Sequence, residues 1–561
     1  MLRWTTPRLA FRTAGAFLIA LIPVSLVAPH AAQAQVKIPA DAVLDQSEIA
    51  QLIADGETLE KEGRWAEALT HFEDAVRAFP GVASLKEKVD TVRRRYDVSR
   101  RYADRSFVGK MRNLSADQAL SLYDDLLNKI QSNYVDSPRW ADLAYRGMLQ
   151  LDAALFDRTF RQINLSGMSE EQIAELRRQL WQTIQIDRVQ NRYDVRAVAL
   201  QAGQIVQRTT SMPATAAVLE FISGAAGSLD NYSCFLTPDQ LNEVYSQIEG
   251  NFVGVGIELK TQDDALLIVR SIPGSPADKA GIVDGDRIVA VQGRSIRELG
   301  GEQAADMLKG PIGSSISVTV ADETDQRREI SVTRDRIEVP SVDIVKMLDP
   351  VAGVAYLRIA SFQKTTTRDL TDALWKMHRQ GMQALVIDLR GNPGGLLTAS
   401  VEIADLFLDH GTIVSTRGRS AGEDFDYTAH QAGTWRMPLV VLIDENSASA
   451  SEIFAGAIHD NHRGTVVGQR SYGKGSVQGI FPLGVANAGL RLTTAKFYSP
   501  SGQAISNRGV TPDVVVRRVA KPVDGVTLIE SKTDAALDAG LKAALAQLQP
   551  AQISNRAIGQ R

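Results

Sequence analysis

The most restrictive feature of this sequence is a long stretch, residues 353–515, in which continuous apolar runs alternate with amphipathic runs. The apolar runs have the length of buried strands, as in GVAYLRIASF, ALVIDLR and PLVVLID. The runs between them have helical spacing, as in TRDLTDALWKMH and SEIFAGAIHD. Strands that are apolar throughout and alternate with helices are typical of a layered α/β core. We therefore predict such a core, with its site where strand ends meet helix N-termini.

The regions before this core are helical in pattern. Residues 35–110 and 111–245 carry apolar residues at three- and four-residue spacing, which predicts helices. In the first region, EIAQLIADGETLEKEGRWAEALTHFEDAVRAFP matches one tetratricopeptide-like hairpin, with small residues where two helices would touch. A single hairpin cannot bury its own apolar face. It therefore packs on the following helices, or it binds an adaptor or a second copy of the chain.

Residues 246–335 have a different pattern, with short β-rich runs separated by polar breaks. The run SPADKAGIVDGDRIVAVQG closely resembles a PDZ domain. In VGVGI, Gly254 and Gly256 would let the N–H groups of Val255 and Ile257 approach a peptide carboxylate beside an open strand edge. The alternative is a structural β-domain that binds no ligand.

The N-terminal segment, residues 1–34, has the composition of a secretory signal peptide. Three arginines precede an apolar stretch, and Ala-Gln-Ala at the end of the segment is a small-x-small cleavage site. A retained membrane anchor is the alternative, although the apolar stretch is short for a span. We expect an exported protein, in the periplasm or another extracytoplasmic compartment.

The net charge and the cysteine content bear on the class of protein and on what stabilises it. The net charge of −4 argues against nucleic-acid binding, which needs concentrated basic charge. The single cysteine, Cys234, cannot form an intrachain disulfide, so the packing of apolar cores must stabilise the exported chain. We expect no metal and no cofactor.

The run IDENSASASEIFAG, residues 443–456, places three serines where an apolar strand gives way to a helix. Ser447 lies in the turn. Ser449 lies at the junction beside the N–H of Ala450, where an exposed nucleophile with a neighbouring oxyanion donor would be found. Ser451 faces nearly the opposite way because of helical rotation. The alternative for SASE is a capping box, in which the hydroxyl only satisfies a backbone N–H.

A candidate general base follows in SYGKGSVQGI, where Lys474 lies between two glycines at the mouth of a strand. Lysine acts as a base only if burial and the absence of a carboxylate partner lower its pKa. Gln478 is four positions further on, and an even offset in a strand returns to the same face, so its amide would orient the amine. The alternative is an exposed lysine in a glycine turn.

The run DLRGNPGG supplies a second glycine-rich strand end, in which Gly394 and Gly395 can offer an unhindered backbone N–H to an oxyanion. A phosphate-type loop or a plain turn is the alternative. The histidines after Ser449 are spaced so that they point away from it. GRSAG, residues 418–422, has the form of a nucleophile elbow but is followed by an acidic, unhelical run, so we interpret it as a chance match.

Several of these runs together resemble one family, the carboxyl-terminal processing (tail-specific) proteases, which are serine peptidases with a Ser–Lys dyad. The matching runs are DLRGNPGGLL, NSASASEIFAGAI, YGKGSVQ, YSPSGQAI and GVTPD. LDNYSCFLTPDQL and the PDZ-like run precede them in the family's order, so the resemblance covers roughly residues 210–515. It implies a PDZ domain that recognises the apolar C-terminal tail of a protein substrate.

The resemblance also implies roles for individual residues. Ser449 corresponds to the nucleophile and Lys474 to the base. Gln478 corresponds to the glutamine that positions the lysine, and Gly395 and Ala450 correspond to the oxyanion donors.

We therefore predict a multidomain α/β protein with a protease core at 336–518, an inserted PDZ domain, an N-terminal helical region and a C-terminal tail at 519–561. The predicted activity is a secreted serine endopeptidase that cleaves proteins near their C-terminus. One alternative is a catalytically silent PDZ scaffold that binds protein C-termini. A third hypothesis is a crotonase-type acyl-CoA enzyme, but the PDZ insertion argues against it.

Overall fold

The computed structural model describes residues 17–20, 46–262, 264–430, 434–516 and 534–558. Most of the predicted signal peptide, 1–34, lies outside the described residues. The helices are α1 (Gln46–Lys61), α2 (Trp65–Ala78), α3 (Ala83–Ala103), α4 (Ala116–Asn133), α5 (Trp140–Ala154), α6 (Arg158–Asn164), α7 (Glu170–Thr183), α8 (Arg192–Thr209), α9 (Ala214–Gly227), α10 (Pro238–Glu249), α11 (Pro276–Lys279), α12 (Ile296–Leu299), α13 (Gly301–Leu308), α14 (Thr366–Arg379), α15 (Leu397–Asp405), α16 (Ala450–Asp460) and α17 (Ala535–Ile558). In the parts of the chain that the structure covers, none of these helices is both long and apolar enough to cross a membrane.

The strands form two sheets in the α/β core, one sheet in the predicted PDZ domain and a short ribbon. They are β1 (Phe17–Ala20), β2 (Cys234–Leu236), β3 (Asn251–Gly254), β4 (Ile257–Gln262), β5 (Ala265–Ser271), β6 (Arg287–Val291), β7 (Arg294–Ser295), β8 (Ser315–Ala321), β9 (Arg327–Thr333), β10 (Asp335–Glu338), β11 (Val342–Asp349), β12 (Val354–Ile359), β13 (Ala384–Asp388), β14 (Gly395–Leu396), β15 (Thr412–Gly418), β16 (Phe425–Thr428), β17 (Leu439–Ile443), β18 (Thr465–Gly468), β19 (Ser476–Pro482), β20 (Gly489–Tyr498) and β21 (Val514–Val515).

The N-terminal region is a helical hairpin packed on a helical bundle. Helices α1 and α2 meet at Gly56, where an added Cβ would lie 2.2 Å from the Phe72 ring, so only a glycine fits this crossing. Helix α3 packs on α2 and on α5. A buried ion pair between Arg101 and Glu220 then fastens α3 to α9. The hairpin thus packs on the chain's own helices, the first of the two predicted alternatives.

The PDZ domain is built on the antiparallel sheet β4-β5-β6-β8-β9, with β7 paired to β6. Strand β4 is an edge of this sheet, as the prediction of an open strand edge requires. Gly256 has φ +84°, and an added Cβ would lie 2.3 Å from the Ser275 Cβ, so glycine is required there. Val255 is buried, and its carbonyl accepts the Ala277 N–H at 2.9 Å.

The placement of Gly254 differs from the prediction. It pairs with Asp335 in the two-stranded ribbon of β3 and β10, outside the PDZ sheet. Gly254 thus lies at the end of this ribbon, directly before the loop of Val255 and Gly256, and its role in peptide binding stays a prediction. The pattern of β-rich runs could not separate the ribbon from the domain, because both are made of short extended segments.

The region predicted as a layered core, 353–515, contains the predicted α/β layer. The sheet runs β11-β12-β13-β17-β18-β21, and all its strand pairs except β11–β12 are parallel. Alternate residues of β13 and β17 face two separate apolar clusters, one that includes α14, α15 and α16 and one that includes α17. Burial on both faces explains why these strands are apolar throughout.

The segment predicted as a C-terminal tail, 519–561, includes a helix that packs on the core. Helix α17 lies against β12, β13, β17 and β18, and Ala544 on it is fully buried. Arg390, which follows β13, bonds the Asp534 carboxylate at the start of α17 at 2.7 and 2.8 Å, and it bonds Asp388 at 2.6 Å. This part of the segment therefore belongs to the core. The sequence did not indicate this packing, because the strands that contact the apolar face of α17 are distant from it along the chain.

A second, largely antiparallel sheet has the order β14-β1-β19-β20-β15-β16. Strand β2, from the end of the predicted helical lead-in, pairs with β20 and so joins this sheet. The sheet brings β14, from the DLRGNPGG loop, within one strand of β19, which follows Lys474. This arrangement assembles the candidate site.

Candidate active site

Ser449 lies at the junction between β17 and α16 in a strained backbone conformation. Its φ is +56° and its ψ is −112°, a region that non-glycine residues rarely occupy. The side chain is fully buried, and its Oγ makes no hydrogen bond with any residue that the structure describes. A strained, unpartnered hydroxyl at a strand end is typical of a nucleophile held by its surroundings.

The capping-box alternative is only half formed. The Ser449 N–H donates to Glu452 Oε2 at 2.8 Å, but the Glu452 N–H donates to the Ser449 carbonyl at 2.9 Å and not to its hydroxyl. The neighbouring serines have structural partners. Ser447 Oγ donates to the Leu389 carbonyl at 2.8 Å, and Ser451 Oγ donates to the Asn392 carbonyl at 3.0 Å. The three hydroxyls thus have different environments.

The DLRGNPGG loop packs directly against Ser449. A Cβ added to Gly394 would lie 2.9 Å from the Ser449 Cβ and from the Ala450 N. Gly395 has φ +142°, and a Cβ there would lie 2.0 Å from the Phe362 carbonyl oxygen. Ala450 is the first residue of α16, so its N–H has no partner within the helix. The loop thus contacts Ser449 and the Ala450 N–H through Gly394, the residue before Gly395, and the oxyanion roles of Gly395 and Ala450 stay predictions.

Asn392 holds this loop, and the sequence analysis did not single it out. Its Nδ2 donates to the Ile359 carbonyl at 2.8 Å, and its Oδ1 accepts the Gly394 N–H at 2.8 Å. Its own carbonyl accepts the Ala448 N–H at 3.1 Å. The signal that could have found it is the asparagine between two glycine positions in RGNPGG, since asparagine often bonds to nearby backbone in turns.

Lys474 is the buried amine of the site. It has no exposed surface, and burial together with the nearby charge of Arg491 lowers its pKa to about 7. Glu452 and Asp230 act in the opposite direction with smaller effect. About half of the Lys474 side chains are therefore neutral near pH 7, the state in which an amine can accept a proton.

Glu452 connects the two candidate catalytic residues. Its Oε2 accepts the N–H groups of Ser449 and Lys474 at 2.8 and 2.9 Å, and its Oε1 accepts Ser471 Oγ and the Gly473 N–H, each at 2.6 Å. The side chain is fully buried, which raises its pKa. One carboxylate thus fixes the backbone on both sides of the site. The sequence showed Glu452 only as a capping residue because its other donors lie about twenty positions away.

Substitution Glu452→Gln is expected to destabilise the fold and to lower activity. Each carboxylate oxygen accepts two hydrogen bonds. An amide NH2 in the place of either oxygen therefore leaves two buried donors without an acceptor. We expect the free energy of unfolding to fall by about 2–4 kcal/mol, measured by urea denaturation, and kcat/KM to fall at least about tenfold. Glu87→Gln, at an exposed position of α3, should change stability by less than about 0.5 kcal/mol. Equal effects in the two variants would contradict this role.

Gln478 is buried on β19, but it is not related to Lys474 by an even offset within one strand. Strand β19 begins at Ser476, after Lys474, and the register shifts between Val477 and Gln478, so an even offset does not apply. Gln478 Nε2 donates to Ser476 Oγ at 2.9 Å and to Thr493 Oγ1 at 3.3 Å. Among the residues that the structure describes, its Oε1 accepts no hydrogen bond, so the predicted contact with the lysine amine is not made in this structure.

The alternative bases and the GRSAG run lie in other environments. His430 is largely exposed and contacts Asp405, and His459 contacts Asp460. GRSAG falls between the antiparallel strands β15 and β16 and leads into no α-helix, as the sequence analysis expected.

Within the described ranges, no group of His, Cys, Asp or Glu is arranged to hold a metal ion.

A groove beside Ser449 accepts an extended chain. Strand β1, from the apolar part of the predicted signal peptide, lies between β14 and β19 and is antiparallel to both. Ala20 is paired with Gly395, and Ile19 is paired with Gln478. A peptide backbone thus fits in strand geometry next to the candidate oxyanion residue.

These features define a class of protein. A strained serine at a strand–helix junction, a buried amine with a lowered pKa and a groove for extended peptide are the components of a serine-type peptidase.

Comparison with known proteins gives the family. The family model for peptidase family S41 matches residues 353–516, and a PDZ domain model matches residues 267–322. The chain is 39% identical over 303 residues to the carboxy-terminal-processing protease of Bartonella bacilliformis, an alignment that covers 53% of this chain and 69% of that protein. It is 38% identical over 330 residues to the carboxyl-terminal-processing protease of a Picosynechococcus species, covering 58% and 78%. Among solved structures, the photosystem II D1 C-terminal processing protease is 25% identical with a TM-score of 0.39, over 72% of this chain and 95% of that one.

The chain belongs to the carboxyl-terminal-processing proteases of peptidase family S41, and it is a serine peptidase with a PDZ domain. The family prediction and the predicted fold class are thus confirmed. The silent scaffold and the crotonase-type enzyme do not agree with this membership.

Proposed function

We propose that this protein is an exported endopeptidase that cleaves protein substrates near their C-terminus, with Ser449 as the nucleophile and Lys474 as the general base. The observation that carries the proposal is the pairing of an unpartnered, strained hydroxyl with a buried lysine whose pKa is lowered to about 7. Both residues are held by the same carboxylate, that of Glu452.

The proposed reaction is acyl transfer to Ser449 followed by hydrolysis. Neutral Lys474 takes the proton from Ser449 Oγ as the oxygen attacks the scissile carbonyl carbon. The N–H groups of Gly395 and Ala450 donate to the resulting oxyanion. When the C–N bond breaks, the lysine ammonium returns a proton to the leaving amine. Water then attacks the acyl-enzyme with Lys474 again as the base, which releases the acid and restores the serine.

Substrate binding is proposed to use strand pairing at two places. The groove between β14 and β19 already accommodates an extended backbone beside Gly395. The edge strand β4 of the PDZ domain leaves a second row of backbone groups for a C-terminal tail, with Val255, Gly256 and Ile257 at its start. An apolar tail that pairs with β4 would bring the nearby substrate chain to the groove.

The exported location rests on the sequence of residues 1–34, and it remains a proposal. In an extracytoplasmic compartment the substrates would be exported or membrane-anchored proteins with accessible C-termini. Adaptor binding or self-association through the hairpin of α1 and α2 is likewise a proposal, and it would use surface of the hairpin that its packing on α3 leaves exposed.

The specificity prediction can be tested with two matched substrates. One is an unstructured protein that ends in apolar residues, and the other is the same protein with aspartate at its last two positions. We expect kcat/KM to be at least about tenfold higher for the apolar tail, because apolar contacts in the PDZ groove are lost and a charge is introduced. Ser449→Ala should cleave neither substrate. Equal rates on both substrates would contradict tail recognition without affecting the assignment of Ser449.

A further inference from the structure

A short turn before β2 lies against the candidate base. Asp230 Oδ1 accepts the N–H groups of Tyr232 and Ser233 at 2.7 and 2.8 Å, and its Oδ2 accepts Ser233 Oγ at 2.9 Å. These three bonds fix the turn locally, as an aspartate does in such turns. The backbone of Tyr232 therefore has a defined position.

The turn is also attached to the sheet of the active site. Arg491 Nε on β20 donates to the Tyr232 carbonyl at 3.0 Å, and the Thr493 N–H donates to Ser233 Oγ at 3.1 Å. Thr493 is the same residue that is paired with Gln478 and bonds its amide. Tyr232 is thus held in register with β19, the strand that follows Lys474.

The ring of Tyr232 covers the lysine amine. Lys474 Nζ lies 4.8 Å from the ring centroid, within the range of a cation–π contact. Lys474 has no exposed surface and Tyr232 is partly buried, so the ring is one of the groups that cover the amine. We propose that Tyr232 is a positioning residue for Lys474, whose ring excludes water from the amine and so keeps the base neutral at working pH.

The charged groups around the amine support a role for an uncharged ring. Arg491 from β20 disfavours the ammonium, whereas Glu452 from α16 and Asp230 from the turn favour it. Burial raises the pKa of Tyr232 itself, so the phenol stays neutral while Lys474 titrates. A carboxylate in the place of Tyr232 would hold the lysine charged. The ring removes water without adding a charge, and its face tolerates the ammonium that forms during reaction.

The test is the pH dependence of kcat/KM, and it rests on the proposed function of Lys474. In the wild type, kcat/KM should rise through about pH 7 as Lys474 loses its proton. Tyr232→Phe keeps the ring and should leave this midpoint unchanged. Tyr232→Ala admits water and should move the midpoint up by at least about one unit. Its rate should then fall at least about tenfold near pH 6 and by less than about threefold near pH 9.5.

Control variants separate this role from a structural one. Tyr193→Ala removes a largely exposed tyrosine from α8, far from the site in the fold, and should leave the profile unchanged. Tyr232→Leu keeps an apolar cover and should give a smaller shift in the same direction, which also serves if the alanine variant does not fold. The inference would be overturned if kcat/KM of Tyr232→Ala fell by the same factor at every pH. It would also be overturned if Tyr232→Phe lost as much activity as Tyr232→Ala. A wild-type profile with no midpoint near 7 would instead count against Lys474 as the base.

Discussion

Replacing Ser449 with alanine is expected to reduce kcat/KM by at least about ten-thousandfold and to change the free energy of unfolding by less than about 1 kcal/mol. The activity falls because no other hydroxyl is placed at the strand–helix junction in the strained conformation of Ser449. The stability is preserved because the Ser449 hydroxyl makes no hydrogen bond within the described part of the chain. Turnover of an unstructured protein and urea denaturation of the purified variant measure the two effects.

Ser447→Ala is the matched control for this experiment, and it should show the opposite pattern. Ser447 Oγ donates to the Leu389 carbonyl and accepts the Asp444 N–H at 3.0 Å, and all of these groups are buried or partly buried. Loss of the hydroxyl should lower stability by about 1–3 kcal/mol and leave kcat/KM within several-fold of the wild type. A Ser449→Ala variant that retains activity would contradict the nucleophile. One that unfolds easily would mean that the hydroxyl serves as a helix cap after all.

Replacing Lys474 with methionine is expected to abolish turnover and to stabilise the protein at the same time. Methionine fills a similar volume but cannot take a proton, so acylation should fall by several orders of magnitude. The wild-type chain must bury an amine whose pKa is 10.5 when unfolded and about 7 when folded. This difference costs the folded state on the order of 4 kcal/mol at pH 7, and the methionine variant does not bear that cost.

The pH window of this effect follows from the two pKa values. Between about pH 7 and pH 10.5 the unfolded chain binds more protons at Lys474 than the folded chain, so wild-type stability rises with pH. The advantage of Lys474→Met should therefore be largest below pH 7 and should vanish above about pH 10.5. Lys376→Met, on the exposed face of α14, controls for the gain in apolar character and should show no such pH dependence. A methionine variant that is less stable than the wild type at pH 6 would contradict the buried neutral lysine.

The sequence predicted the elements of the core and the position of Ser449 because these depend on local pattern. Buried parallel strands are apolar along their whole length, and the serine run lies at a strand–helix boundary that this pattern marks. The oxyanion glycines were predicted for the same reason. The structure shows that a side chain at Gly395 would collide with Phe362.

The residues that support the site could not be predicted, because their partners are distant in sequence. Glu452 bonds Gly473 and Lys474, and Tyr232 covers Lys474 from a different region of the chain. No periodicity relates such positions. The error at Gln478 has a different cause, since a register shift in β19 changes the face of every residue that follows it. In the sequence, Tyr232 belongs to LDNYSCFLTPDQL, a run that resembles the family, and nothing in that run indicates its contact with Lys474.

The packing of α17 couples the two faces of the parallel sheet to the loop beside Ser449. The helix covers one face of the sheet, and Asp534 just before it bonds Arg390 in the loop that leads to Gly395. Undocking of α17 would therefore expose apolar residues of β12, β13 and β17 to water and remove one anchor of that loop. The burial of the sheet and the position of the loop thus depend on the same helix.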